Sequence, residues 1–241
     1  MQPFLSIIIP AYNEERRISS TLETVLSFLE KQEYDSEIIV VENGSQDRTA
    51  EIVREYQREH PCLHLLHETR AGKGLAVRRG MLEAKGSYRF ICDADLSMPI
   101  EEVRHFIPPQ LETFDIAIAS REAPGAVRYD EPVYRHFVGR GFNLLVRLFT
   151  GLNLQDTQCG FKCFRAEVVD ELFHQQVIDG WTFDVEVLFL AQRRGYTIVE
   201  VPVPWYFHPG SRVRIVQDTF TMFCDLIRIR LNAIRGVYAP D

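Results

Sequence analysis

Short apolar, β-branched runs alternate along the chain with stretches of helical periodicity. Phe4 to Ile9 is one such run, stopped by Pro10, and Glu37 to Val41 is a second. Both have the unbroken hydrophobic character of strands buried on two faces of a parallel sheet. Between them Ile18, Leu22, Val25, Leu26 and Leu29 recur on one face of a helix, which predicts a strand-helix-strand unit. The pattern then repeats with a helix near Asp47 to Glu59, a strand at Leu63 to His67, a helix from Leu75 to Ala84 and a strand at Tyr88 to Cys92. Such alternation predicts an α/β, doubly wound sheet that binds its ligands at the carboxyl ends of its strands.

After Pro99 the spacing predicts a helix near Glu101 to Ile107, broken by Pro108-Pro109, and a strand at Asp115 to Ala119. Arg121 to Pro132 is rich in Gly, Pro and charge and reads as a mobile loop. An amphipathic helix follows from Val133 to Thr150. Beyond it come an irregular segment from Asp156 to Arg165, a helix from Asp184 to Arg194, a strand at Thr197 to Val201 and a last helix from Val216 to Arg235. No repeat, low-complexity tract or long linker interrupts the chain. One domain over residues 1–241 is therefore expected, with a nucleotide-binding half to about 120 and an acceptor half from about 121.

Composition narrows this picture. With 46% hydrophobic and 25% charged residues, the 241-residue chain can bury a large core. A net charge of -7 argues against a nucleic-acid binder, since phosphate backbones are held by excess Lys and Arg. Five cysteines, odd in number and scattered, suit a reducing compartment. Met1 to Ile9 lacks a basic region before its apolar stretch and reads as a strand, not a signal peptide. No run reaches the roughly 18 apolar residues of a membrane span, so any membrane contact is expected to be peripheral.

The candidate chemistry begins at Asp93-Ala94-Asp95, which follows the strand ending at Cys92. Two acids at i and i+2 on a strand end can reach one hard cation from the same side, as Mg2+ or Mn2+ bound to phosphate oxygens requires. The alternative is a solvated turn in which Asp93 caps the next helix. The first strand leads into Pro10-Ala11-Tyr12-Asn13-Glu14 and the second into Glu42 to Thr49, so three polar turns should share one sheet edge. Asn13 and Asp47 can equally serve as helix N-caps. Gly72-Lys73-Gly74 opens a helix whose backbone N-H groups could meet an anion, but it fits neither G-x-x-x-x-G-K-[ST] nor G-x-G-x-x-G. Cys159 and Cys163 lack the second pair that a zinc site needs.

These turns, with Ser120-Arg121, Asp156 to Lys162 and Phe183-Asp184-Val185-Glu186, resemble glycosyltransferase family 2 enzymes of the GT-A fold over nearly the whole chain. The likeness is strongest to the polyprenyl-phosphate sugar transferases, and among these to the dolichyl-phosphate β-glucosyltransferases more than the mannosyltransferases. The resemblance implies a Rossmann-like, mostly parallel central sheet with helices on both faces and amphipathic helices towards the C-terminus. It also implies donor contacts from Pro10, Tyr12, Glu14, Glu42, Asp47, Lys73, Asp93, Ala94 and Asp95, with Asp93 and Asp95 holding Mg2+ or Mn2+. Arg121 and Arg135 would grip the acceptor phosphate, with Asp184 and Glu186 on the acceptor side. Asp95, Asp156, Arg121 and Arg135 would carry the catalysis. Ser97 stands where mannosyltransferase relatives often carry Gln, which favours UDP-glucose over GDP-mannose as donor.

Arg121, Arg128, Arg135, Arg140 and Arg147 outnumber Glu122, Asp130 and Glu131 in a stretch that is positive within a negative chain. Arg forks suit phosphate. The expected reaction is inverting transfer of a hexose, glucose favoured, to a polyprenyl phosphate, whose ionised oxygen needs little help from a general base. The setting expected for it is cytoplasmic, at the cytoplasmic face of a membrane. Phe137, Leu144, Leu145 and Leu148, and in the last helix Phe223, Ile227, Leu231 and Ile234, form apolar stripes that either pack on the sheet or dock on lipid. Transfer from GDP-mannose, transfer to a saccharide hydroxyl, a non-catalytic nucleotide-sugar scaffold and a sugar nucleotidyltransferase are the rival readings; the last lacks the glycine-rich turn it would need after the first strand.

Overall fold

The computed structural model describes residues 2–208 and 215–238. Its centre is a seven-stranded sheet built from β1 (Leu5–Ala11), β2 (Ser36–Asn43), β3 (Leu63–Glu68), β4 (Tyr88–Ile91), β5 (Ile116–Ser120), β7 (Lys162–Arg165) and β8 (Ile198–Pro202), in the order β3-β2-β1-β4-β7-β5-β8. All neighbours pair in parallel except β7, which runs antiparallel between β4 and β5. A ribbon of β6 (Val127–Tyr129) and β9 (Pro204–Tyr206) lies outside the sheet.

Side-chain alternation on β1 divides the core. Ile7 and Ile9 face a cluster with Ile18, Leu22, Val25 and Leu26 of α1 (Ile18–Leu29) and Val53 of α2 (Thr49–Glu59). Ile8 faces the other side, against Ala76 and Val77 of α3 (Lys73–Glu83), with α5 (Ala166–Gln175) and α6 (Phe183–Arg194) completing that layer. Each fully buried aliphatic side chain contributes about 1.5–3 kcal/mol relative to exposure. Residues 183 to 191 of α6 are all buried, so this helix is covered on every side and its start is fixed against the sheet.

Three expectations change. The segment read as irregular, Asp156 to Arg165, ends in β7, and the chain then forms α5, whose buried Val168, Val169, Leu172 and Phe173 repeat at helical spacing. The helix expected from Glu101 to Ile107 is a 3-10 turn, Ile100–Phe106. The loop from Arg121 to Pro132 contains β6, which pairs with β9 through Val127, Arg128 and Tyr129. The antiparallel β7 matters most for function. Its first residue, Lys162, lies opposite Ile91 and Ile118, so the segment before it reaches the edge where β4 and β5 end.

α4 (Val133–Thr150) and α7 (Ile215–Ile234) flank this edge and touch through Phe149 and Phe223, whose rings are 5.6 Å apart. α4 buries Phe142 and Val146, and α7 buries Met222, Leu226 and Ile229. The predicted stripes mostly face the other way: Phe137, Leu144, Leu148, Ile227, Leu231 and Ile234 are exposed, while Leu145 packs partly against the core. Among the described residues no helix is long and apolar enough to cross a membrane.

Candidate active site

A cleft of about 990 Å³ runs along the carboxyl edge of the parallel strands. One wall comes from the turns after β1, β2 and β4 and from the start of α3; Pro10, Tyr12, Glu14, Asn43, Gly72, Lys73, Asp93, Ala94 and Asp95 all line it. The opposite wall carries Arg121, Arg135, Asp156 and Trp205, while Trp181 and Asp184, at the start of α6, line the cleft beside Lys73. The turn before β7 and the start of α6 thus line the same space as the acids that follow β4.

The first two turns are laced to each other. Asn13 N-H donates to Ser45 Oγ at 2.9 Å, Gln46 N-H to Asn13 Oδ1 at 2.7 Å, Glu14 N-H to Thr49 Oγ1 at 2.7 Å and Glu15 N-H to Asp47 Oδ2 at 3.0 Å. These cross-turn bonds take the place of the N-caps that Asn13 and Asp47 suggested, and both helices start on arginines, Arg17 and Arg48, that make no side-chain cap. Asp47 also accepts Thr49 N-H at 3.0 Å. It organises the turn and does not line the cleft. Glu42 also lies outside the lining. It is 1% exposed, accepts Ser45 N-H and meets His67 Nδ1 at 2.5 Å, one layer behind the cleft wall that Asn43 provides.

Asp93 and Asp95 leave the end of β4 in a tight turn closed by Leu96 N-H to Asp93 O at 3.2 Å. Leu96 is held at a φ of 45°, a costly conformation for a residue with a branched side chain and one that concentrates at functional sites. Asp95 Oδ1 accepts Ser97 N-H at 3.1 Å, and Asp93 Oδ1 is 2.5 Å from Lys73 Nζ. A Cβ at Gly160 would come within 2.0 Å of Asp93 Oδ2, so only glycine leaves room for this carboxylate. A Cβ at Gly74 would likewise strike Ile178 O and Phe183 Cβ at 2.6 Å, which explains the close seating of α3 beside α6.

Lys73 also sits 5.5 Å from the Trp181 ring. Burial works to lower the pKa of its ammonium, but Asp93 and Asp184 outweigh that and raise it, so the group stays charged. Among the described residues no three His, Cys, Asp or Glu side chains gather as a ready metal cage. Asp93 and Asp95 instead offer two carboxylates at one open edge, a donor set that suits Mg2+ or Mn2+ completed by water and phosphate oxygens.

On the far wall Arg121 grips Asp156 through Nε at 2.7 Å and Nη2 at 3.0 Å, and its guanidinium lies 5.4 Å from the Trp205 ring. Arg135 lies 5.0 Å from the Phe207 ring. Asp184 meets the almost fully buried Lys162 at 2.9 Å, and Lys162 also donates to Cys159 O at 2.5 Å. Burial raises the Asp184 carboxyl, with Lys162 and Lys73 opposing. Glu186 is engaged elsewhere. One turn into α6 it points away from the cleft, accepts Val177 N-H at 3.0 Å, Ile178 N-H at 2.8 Å and Tyr238 O-H at 2.6 Å, and is 0% exposed.

Sequence reasoning gave Lys162 no role of its own and passed over both tryptophans. A lysine inside the apolar run Gly160-Phe161-Lys162-Cys163-Phe164 is itself a signal of a buried, paired charge. The chain has two tryptophans, and both line the cleft.

Residues 6–173 match the family model described as glycosyl transferase family 2. The chain is 35% identical over 247 residues to a dolichyl-phosphate beta-glucosyltransferase of Trichomonas vaginalis, covering 98% of this chain and 73% of that protein. It is 33% identical over 259 residues to the dolichyl-phosphate beta-glucosyltransferase of Saccharomyces cerevisiae, covering 99% and 77%. Among solved structures it is similar to glucosyl-3-phosphoglycerate synthase from Mycobacterium tuberculosis in complex with UDP, with a TM-score of 0.66, 20% identity and coverage of 99% and 82%. The same enzyme with Mn2+, UDP-glucose and phosphoglyceric acid gives a TM-score of 0.65 at 18% identity, covering 99% and 81%. At such identity the structural likeness speaks for the fold, the GT-A arrangement.

Proposed function

The chain belongs to glycosyl transferase family 2, and on that footing we propose that it transfers glucose from UDP-glucose to the phosphate of a polyprenyl phosphate such as dolichyl phosphate, inverting the anomeric centre. The observation that carries the choice of acceptor is the state of the two deep carboxylates. Asp156 and Asp184 each face a cation, Arg121 and Lys162, at 2.7 and 2.9 Å. A sugar hydroxyl would need a free base at this place, whereas a phosphomonoester with a second pKa of about 6 arrives ionised.

In this reading Pro10, Tyr12 and Glu14 take the nucleoside, and Lys73, Asp93 and Asp95 meet the diphosphate. Asp93 and Asp95 would hold a divalent cation, Mg2+ or Mn2+, whose chemistry is to neutralise charge on the departing diphosphate. Arg121 and Arg135, each beside an aromatic ring, aim the acceptor phosphate at the sugar from the opposite wall. Asp156 fixes the Arg121 fork, and Lys162 fixes Asp184 beside Lys73.

The outward apolar rows of α4 and α7 support contact with a lipid surface on the same side. Phe137 and Leu148 are 70% and 77% exposed, and α4 carries Arg135, Arg140 and Arg147 with no acidic residue. Both helices also line the cleft, α4 through Arg135 and Phe142 and α7 through Met222, so a lipid tail could leave the site directly into the layer they touch. Donor choice is tested by incubating the protein with polyprenyl phosphate and labelled UDP-glucose or GDP-mannose. Label from UDP-glucose in the butanol-extractable lipid is the expected result, and preferential transfer of mannose would sink the glucosyl reading.

A further inference from the structure

Lys73 is the first residue of α3, and the start of that helix is fixed in place. A Cβ at Gly72 would come within 2.6 Å of Asp179 O, and one at Gly74 within 2.6 Å of Ile178 O, so the backbone on either side of Lys73 has no room to shift. The side chain reaches into the cleft and places Nζ 2.5 Å from Asp93 Oδ1. With Oδ2 pressed against Gly160, where an added Cβ would lie 2.0 Å away, Oδ1 is the freer oxygen of this carboxylate, and Lys73 already holds it. Asp184, whose charge also acts on Lys73, has an ammonium of its own from Lys162 at 2.9 Å. Asp93, Asp95 and Asp184 set against Lys73 and Lys162 leave the cluster with one net negative charge.

We propose that Lys73 is a resident counter-cation that competes with a divalent metal for Asp93 and gives it up only to take a diphosphate, so that metal and nucleotide bind synergistically. This rests on the reading that Asp93 and Asp95 hold a divalent cation. An ammonium and a metal ion draw on the same carboxylate oxygen and repel each other at close range. A metal arriving alone has to displace Lys73, and the tethered ammonium is left beside it with only Asp184, which Lys162 already engages. A diphosphate arriving alone meets a cluster that is net negative. When both arrive, phosphate oxygens give Lys73 a new partner and complete the ligands of the cation, since Mg2+ is held by one or two carboxylates together with phosphate and water oxygens. Each ligand thereby removes the electrostatic penalty of the other, a coupling that both must feel equally. The Trp181 ring, 5.5 Å from Nζ, keeps a cation-attracting face beside the ammonium throughout.

The test is Mn2+ binding to the full chain, followed by loss of the free-ion electron paramagnetic resonance signal, with and without UDP, which carries the diphosphate but no sugar to transfer. A protein-free control subtracts the Mn2+ that UDP holds by itself. The wild-type protein should bind Mn2+ weakly alone and much more tightly with UDP, and Asp95→Ala, by losing the UDP-dependent ion, ties the signal to this site. Lys73→Met should bind Mn2+ alone about tenfold to a hundredfold more tightly than the wild type, because one positive charge has left a half-buried site, and UDP should then add little. Melting temperature without ligands checks that the variant folds. If it does not, Lys73→Gln removes the charge while keeping a hydrogen bond to Asp93, and the same gain is expected. A purely structural lysine would give no gain in metal affinity on removal. Unchanged or weaker Mn2+ binding in the folded variant, or a UDP effect as large as in the wild type, overturns the role of Lys73 while leaving the metal site standing. Absence of Mn2+ binding by the wild-type protein even with UDP removes the metal reading and this inference with it.

Discussion

Arg121 and Asp156 face each other in a two-pronged ion pair, with Nε and Nη2 at 2.7 and 3.0 Å from the two carboxylate oxygens, and Arg121 N-H adds a third bond at 3.1 Å. The pair joins the end of β5 to the turn before β7. It explains why an antiparallel strand in an otherwise parallel sheet is useful here: the acid and the arginine come from segments far apart in sequence and meet only because β7 enters from the ligand edge.

The first prediction concerns pH. Burial pushes the Asp156 carboxyl up, but Arg121 more than offsets it and holds the group at about 2, below its ordinary 3.8. A carboxyl depressed on folding stabilises the protein above its unfolded pKa and loses that contribution as pH falls through the folded value. Asp156→Asn should cost about 3–5 kcal/mol near neutrality by leaving Arg121 without its counter-ion, lowering Tm by roughly 6–20 °C. Thermal unfolding of both proteins should show this gap shrinking only below about pH 4. A gap that closes at pH 6 contradicts the assignment.

The second prediction concerns the metal. Chelation should abolish turnover, and Mg2+ or Mn2+ should restore it. Asp95→Ala should lower kcat by about a hundredfold to a thousandfold, without recovery at high metal concentration. Full activity in the presence of chelator would remove Asp93 and Asp95 from the proposed role.

A third prediction separates support from chemistry at Lys162 and Asp184, whose side chains are 2% and 6% exposed. Lys162→Met strands a buried carboxylate and should destabilise by about 3–5 kcal/mol. Adding Asp184→Leu should recover most of that stability, since a hydrophobic pair of similar volume replaces the ions. Glucosyl transfer should stay low in the double variant. Recovery of both stability and transfer would show the pair to be purely structural.

Glu186 supplies the fourth. Because its oxygens accept two backbone N-H groups and the Tyr238 hydroxyl, Glu186→Gln should lower stability by about 1–3 kcal/mol. Acceptor KM should not move. A selective rise in acceptor KM at unchanged Tm would return Glu186 to the cleft wall.

Much of this architecture was legible in the sequence because buried parallel strands announce themselves as apolar runs. Ile7, Ile8 and Ile9, or Ile38 to Val41, have no other comfortable place. The strand β7 was hidden because it is short and contains a lysine, a residue that fits a core only when a partner such as Asp184 is supplied from elsewhere. By contrast α5 was visible in its spacing and was passed over. The candidate site was legible as a set of polar turns, and Asp93, Asp95, Arg121, Asp156 and Asp184 do line one cleft. What sequence could not show is which acids have their oxygens already engaged. Glu42 and Glu186 look like ligands on paper, yet backbone N-H groups, His67 and Tyr238 hold them. The outward direction of the apolar rows on α4 and α7 was equally hidden, since a stripe does not say which face the sheet takes.

The central claim is that a phosphate oxygen, and no hydroxyl, receives the sugar. It is tested most directly by offering labelled UDP-glucose with a divalent cation to the purified protein together with a polyprenyl phosphate, the corresponding polyprenol and a soluble saccharide in the same tube, and resolving the products. The account predicts label in the polyprenyl phosphate product alone, as a β-linked glucosyl phosphate; label on the saccharide or the free alcohol, with none on the phosphate, would contradict it.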